Sequence, residues 1–351
     1  MKHSPMSEIS QRLYYRDPYW DCLKAVLIFL VILGHVIKHH VSKDYVGIGI
    51  YNFIYIFHMP LFIFVSGRFS QKKTNKAYLW NIIKLFETYF VFQLILTLLT
   101  DCIISHHGFD FYEFIFTPQW AMWYLLALAC WRLLILAIPE TLLKDYPKPL
   151  IILSFVIGLA SGFIPLDEYF ISHHILSSLP FFMLGYYSYK INIPVKISHI
   201  PSWIAWSVLL IVLIMCCSWL NEKKYYYILT GGYSYYFKPI FSVFGHFIAR
   251  VIIYVSAILL SIMIMRIIPI SKKIAQWGTM TLIAYVYHPP LIIIVNKTMM
   301  ISSFHPTLPF LFILAVTITL FLFYISRFKL VRILTNPFTY WKNKKGREKD
   351  K

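Results

Sequence analysis

The sequence predicts an all-α integral membrane protein, a bundle of about ten transmembrane helices with both termini cytoplasmic. Three observations carry that prediction. Of the 351 residues, 59% are hydrophobic and 14% charged, whereas about a quarter are charged in an ordinary soluble domain. Apolar runs of about 18 residues or more, long enough to cross a bilayer, recur along the whole chain. Lys and Arg crowd into alternate loops. The composition argues against a water-soluble enzyme, and the recurring runs argue against a pair of soluble domains.

Read between polar or Pro/Gly-marked breaks, the runs are 23–41, 48–67, 78–100, 120–138, 149–165, 171–188, 203–220, 238–265, 277–296 and 307–326. The first follows a charged arm, as a signal peptide would. It is long for such a segment, lacks a small-x-small cleavage site and carries Lys24 and His35, so it reads as a retained helix. The third holds Lys84 and Glu87 one turn apart, a spacing that suits a structural ion pair. The outside segments 101–119 and 221–237 are aromatic-rich and would shape an entrance or form an interfacial belt. An arm (1–22), a membrane domain (23–326) and a basic tail (327–351) follow from these limits.

Net charge is +18, which in a soluble protein would suggest nucleic acid. Its distribution argues otherwise. With the termini inside, 23 of the 33 Lys and Arg fall in inside segments and five in outside loops, as the positive-inside rule requires. The run from Lys342 to Lys351 then reads as a tail near anionic lipid. No nucleic-acid partner is expected, and no sequence feature fixes an oligomeric state.

The five cysteines are scattered and give neither a disulfide framework nor a metal site. The pairs His35/His39 and His106/His107 lack a carboxylate or cysteine at supporting spacing, so no metal is expected. Phosphate-cradling and nucleophile-elbow motifs are absent.

A charge at the centre of a membrane helix costs about 2.5–3.5 kcal/mol on insertion scales, so ionisable residues within spans are the first functional candidates. They include Lys24, His35, His58, Lys84, Glu87, Arg132, His246, Arg250 and His288. Lys24 and His35 are the most informative. Eleven helical steps of 100° bring them to within about 20° of one face, about 16 Å apart along the axis. That is roughly the length of an extended phosphopantetheine arm, so a cation at one end could hold coenzyme A phosphates while an imidazole meets the thioester. Alone, Lys24 would read as a snorkelling anchor and His35 as a histidine bonded to a neighbouring helix. On one face together they favour a site. The basic stretch Arg68, Lys72, Lys73 after the second span would add to the anion-binding end, although cytoplasmic loops are basic in any case.

The segment from Arg16 to Lys24 (RDPYWDCLK), continued by AVLIFLVILGHV to His35, resembles the first helix of the membrane acyltransferase 3 family, whose hallmark is Arg or Lys, ten residues, then His. FHMPLFIFVSG (57–67), WAMWYLLALACWRLL (120–134), LPFFMLGYY (179–187) and GTMTLIAYVYHPPLI (278–292) continue the resemblance in order over most of the chain. It looks closest to the fucose 4-O-acetylase-like branch, which modifies surface polysaccharides. Two positions depart from the pattern: Arg68, where an aromatic or aliphatic residue is usual, and His174, where an arginine is expected.

The resemblance implies a multi-pass enzyme of the cell (plasma or inner) membrane that moves acetyl groups from cytoplasmic acetyl-CoA to a hydroxyl of a glycan or lipid-linked sugar. It points to His35 as the catalytic histidine and Lys24 as its basic partner. His58, Trp123, Arg250, Tyr285 and His288 would line or brace the site, with Trp123, Tyr285 or a backbone N–H available to an oxyanion. The competing classes are a transporter or flippase for a lipid-linked sugar, which should show internal repeats, and a polysaccharide polymerase with an Arg-rich outer loop. The sequence has no repeat, and 101–119 contains no Lys or Arg.

Overall fold

The structure is a computed structural model that describes residues 17–38, 40, 44–72, 74–100, 110–165, 172–236, 240–302, 304, 306–338 and 340. Among these residues there is no strand. The helices begin where polar side chains can satisfy the first free N–H groups. Asp17 accepts the Tyr19 N–H at 3.0 Å ahead of α1 (Pro18–Lys38). Asp44 accepts from Val46 at 3.0 Å ahead of α2 (Tyr45–Arg68), and Thr74 from Ala77 at 3.3 Å ahead of α3 (Asn75–Thr97). There follow α4 (Phe111–Phe116), α5 (Trp123–Ala137), α6 (Glu140–Asp145), α7 (Pro147–Ala160), α8 (Ser172–Tyr187), α9 (Ile193–Ile197), α10 (Ser202–Ser218) and α11 (Tyr225–Leu229). The chain continues as α12 (Val243–Ile267), α13 (Lys272–Gly278), α14 (Thr281–Ile301), α15 (Leu308–Ile325) and α16 (Lys329–Thr335).

Each of the ten predicted runs falls on a helix, but among the described residues six helices have the length and apolarity of a span. These are α1, α2, α3 with its continuation to Thr100, α5 with the 3-10 turn before it, α12 and α15. Taken as one span, α13 and α14 would make a seventh, bent by 66° at a break that the sequence reading missed. Gly278, at that break, lies so close to α1 that a Cβ would stand 1.8 Å from the Asp21 carbonyl oxygen. The others are short. Helices of 14 to 17 residues, such as α7, α8 and α10, extend about 21–26 Å, less than the roughly 30 Å hydrocarbon core.

The bundle is organised around α2, which packs against α1, α8, α10 and α12. Its crossing with α8 is the closest kind that side chains allow. A Cβ on Gly67 would lie 2.1 Å from the Phe182 carbonyl oxygen, and one on Gly185 1.9 Å from that of Phe64. Small residues that let backbones approach are the usual means of joining helices where lipid removes the hydrophobic drive between them. The other central helix, α1, is covered by α2, α13, α14 and α15 and buries Leu23, Leu27, Ile28 and Ile32 completely. Glu87 accepts the Phe338 N–H at 2.6 Å, which ties α3 to the C-terminal segment.

Candidate functional site: two cavities on one helix

Lys24 and His35 lie on the same unbroken helix, α1, and line two different cavities. The Lys24 cavity has a volume of about 360 Å³ and includes Ser66, Phe69, Tyr124, Arg132 and Tyr285 in its wall. The His35 cavity is about 420 Å³, lined among others by His58, Trp120, Trp123, His174 and Arg250. Tyr285 borders both. Its ring lies 5.2 Å from that of Tyr124 and 6.3 Å from that of Phe62, and its hydroxyl donates to the Ala121 carbonyl oxygen. These rings form a septum between the two spaces.

In the Lys24 cavity the lysine Nζ pairs with Asp21 Oδ1 at 2.6 Å and sits 5.4 Å from the Phe69 ring centre. Arg132 donates from Nε to Ser70 Oγ at 3.1 Å, and no carboxylate pairs with it among the described residues. Two cations in one cavity, one of them without a counter-ion, suit a polyanion. The other expected anion ligands are elsewhere. Arg68 donates to Ser188 and lies over the Trp20 ring at 4.4 Å, so its guanidinium clamps the ends of α1, α2 and α8. Lys72 lies in the turn after α2 and lines neither cavity, and Lys73 lies outside the described residues.

The His35 ring is 5.1 Å from that of His288 and 5.9 Å from that of Trp120. Trp120 has φ of 53°, a left-handed conformation that costs a bulky residue about 1–3 kcal/mol and persists only when its surroundings enforce it. The enforcing groups are visible. Gln93, fully buried on α3, donates to the carbonyls of Phe114 (3.1 Å) and Thr117 (2.8 Å) and accepts the Gln119 N–H at 2.8 Å. On the other side the Tyr285 hydroxyl holds Ala121.

Trp123 stacks on His174 at 4.6 Å. The close pass of the 221–237 segment over that imidazole requires Gly232, where a Cβ would lie 2.0 Å from His174 Nε2. His58 directs Nδ1 at the Ile54 carbonyl at 2.7 Å, which places its ring proton on that nitrogen. His288 is fully buried behind His35 and directs Nδ1 at the Ala284 carbonyl at 3.3 Å. Arg250 is anchored by the carbonyls of Gly158, Gly231 and Tyr233 and by Ser161 Oγ. From the 221–237 segment Tyr226 enters the wall, and burial pushes its phenol up to about 12, so it stays protonated at neutral pH.

The structure therefore gathers His35, His58, Trp123, Arg250 and Tyr285 around one cavity, with His288 behind them, and puts Lys24 at the other. Sequence reading gave no role to Arg132, Gln93, Trp120 or Lys38, which also lines the His35 cavity. Arg132 was visible as a charge within an apolar run, and the rest gave no signal. His39, His106 and His107 lie outside the described residues.

No curated protein and no solved structure matches the chain. The family model of the acyltransferase 3 group, described as an acyltransferase domain, matches residues 17–327, from the start of α1 to the end of α15, both cavities included. With most of its length covered by that match and its helices apolar enough for several spans, the chain belongs to the acyltransferase 3 family of multi-pass membrane acyltransferases.

Proposed function

We infer that the protein is an O-acetyltransferase that moves an acetyl group from cytoplasmic acetyl-CoA to a hydroxyl of a surface polysaccharide or lipid-linked sugar. In this reading it is a ten-span bundle of the cell membrane with cytoplasmic termini. The observation that carries the reading is the placement of Lys24 and His35 in separate cavities on one helix, with Tyr285 bordering both. The cations Lys24 and Arg132 receive the coenzyme A phosphates, and the pantetheine arm reaches past the septum. The aromatic His35 cavity, within the roughly 300–1,000 Å³ range of small-molecule sites, receives the acceptor. Arg68 is left out of the donor site because its guanidinium is engaged by Ser188 and Trp20.

Neutral His35 takes the proton of the acceptor hydroxyl as that oxygen attacks the thioester carbonyl, and the imidazolium returns it to the departing thiolate. An alternative order has His35 accept the acetyl group first and pass it on. Ping-pong kinetics would favour that order and an obligatory ternary complex the direct one. Tyr285 already donates its one O–H to Ala121, so Trp123 or a backbone N–H is the better oxyanion donor.

The bent pair α13–α14, like the buried charges, is a feature that a transporter would share. Mass spectrometry of surface glycan from cells with the intact protein and with His35→Ala separates the readings. Loss of an acetyl group in the variant supports transfer; unchanged acetylation with altered export of the glycan overturns it in favour of a flippase.

A further inference from the structure

The two cavities differ in how their charges are balanced. Lys24 has Asp21 beside it, whereas the His35 cavity is lined by Lys38, Arg250 and the imidazoles of His35, His58 and His174, with no Asp or Glu among the described residues of its wall. The ion pairs Lys24–Asp21 and Lys224–Glu222 involve neither Lys38 nor Arg250, and no carboxylate pairs with either cation among the described residues. Lys38 stands one turn along α1 from His35, with Nζ 5.0 Å from the centre of the Tyr226 ring. Arg250 is 5% exposed, and the four oxygens around it orient the guanidinium without cancelling its charge. Lys38 is exposed, but Arg250 is not, and a buried cation with no counter-ion is costly unless something of opposite charge joins it. Among the described residues the cavity wall supplies no such group, and an anionic ligand would.

We propose that the acceptor is an anionic sugar, whose carboxylate or phosphate is held by Lys38 in the field of the anchored Arg250 guanidinium while one of its hydroxyls reaches His35. The aromatic faces of Trp123 and Tyr226 receive the apolar side of the ring. Guanidinium and ammonium are the usual partners of carboxylate and phosphate oxygens, and a charge requirement rejects neutral sugars of the same shape because it leaves the two cations unpaired. The hydroxyl role of His35 rests on the acetyl-transfer reading; the anion site does not.

The test is thermal unfolding of the full-length protein in detergent with methyl glucoside, methyl glucuronide or inorganic pyrophosphate, on the wild type, Lys38→Ala and Lys38→Arg. At least one anion should raise the unfolding midpoint where the glucoside does not, with the gain lost in Lys38→Ala and kept in Lys38→Arg. A glucuronide response assigns a sugar carboxylate and a pyrophosphate response the phosphate of a lipid carrier. No gain over the glucoside from either anion, or a gain that survives Lys38→Ala, overturns the proposal. A gain that behaves as expected while the glycan shows no acetyl difference between wild type and His35→Ala supports the anion site and removes the transfer reading. Acetylation found on a neutral sugar, with no acid or phosphate on that residue or its carrier, overturns the anion site and leaves transfer intact.

Discussion

The rings of His35 and His288 face each other at 5.1 Å, inclined by 50°. Because His288 spends its Nδ1 proton on the Ala284 carbonyl, its Nε2 can only accept, and it stands beside His35 as a hydrogen-bond acceptor. His35→Ala should lower acetyl transfer by roughly 10²–10⁴-fold, the usual worth of a general base. His288→Ala should cost less and should displace the pH–rate profile, which a purely structural role would leave unmoved. Rates measured across pH on purified protein check both, and an unchanged rate for His35→Ala removes it as the base.

Three cationic residues near the Lys24 end should separate by kinetics. Arg132→Ala and Lys24→Ala should raise KM for acetyl-CoA about tenfold or more, the scale of a lost charge-assisted contact. Lys24→Arg should be tolerated. Arg68→Ala should leave that KM near its wild-type value and lower the unfolding temperature, because its contacts are with Ser188 and Trp20. Equal KM effects at all three positions would mean that Arg68 turns toward the donor.

Gln93→Leu should impair transfer although Gln93 lines neither cavity. The change strands two carbonyls and one N–H, at about 1–3 kcal/mol for each buried group left unpaired, and frees the segment that holds Trp120 against His35. Trp120→Gly should relieve the backbone and still lose activity, since the ring is gone. The pair of results, read as unfolding midpoint and rate, distinguishes a strained positioning residue from a packing one.

At the α2–α8 crossing, Gly185→Ala should destabilise by about 1–3 kcal/mol, the cost of forcing extra atoms into a packed contact, because its Cβ would meet the Phe64 carbonyl. Denaturation in detergent reads this directly. Gly245→Ala, at the exposed start of α12 where the nearest atoms belong to Phe241 and Ser242 side chains, is the matched control and should cost less.

The parts of the fold and site that could be read from the sequence are those set within one helix. Apolar runs located the long helices, and helical arithmetic put Lys24 and His35 on one face. What stayed hidden is tertiary. Arg68 and Arg132 are both lone arginines beside apolar runs, and only the approach of Ser188 and Trp20 to one, and of the cavity to the other, separates their roles. Gln93 looked like an incidental polar residue in α3, since its three partners lie 21 to 26 positions away. The break before α14 escaped notice because Gly278 answers to the Asp21 backbone across the bundle.

The septum of Tyr285, Tyr124 and Phe62 has an electrical consequence. A membrane potential of 100 mV pushes each elementary charge with about 2.3 kcal/mol, and two polar hollows joined end to end through a bilayer would conduct. Here the residue common to both hollows is Tyr285, an aromatic ring latched to a backbone oxygen and packed on Tyr124 and Phe62. An uncharged acyl thioester arm could slip beside such rings, whereas a hydrated ion would have to shed its water to follow. The same three side chains would therefore let a neutral group cross and keep the membrane an insulator.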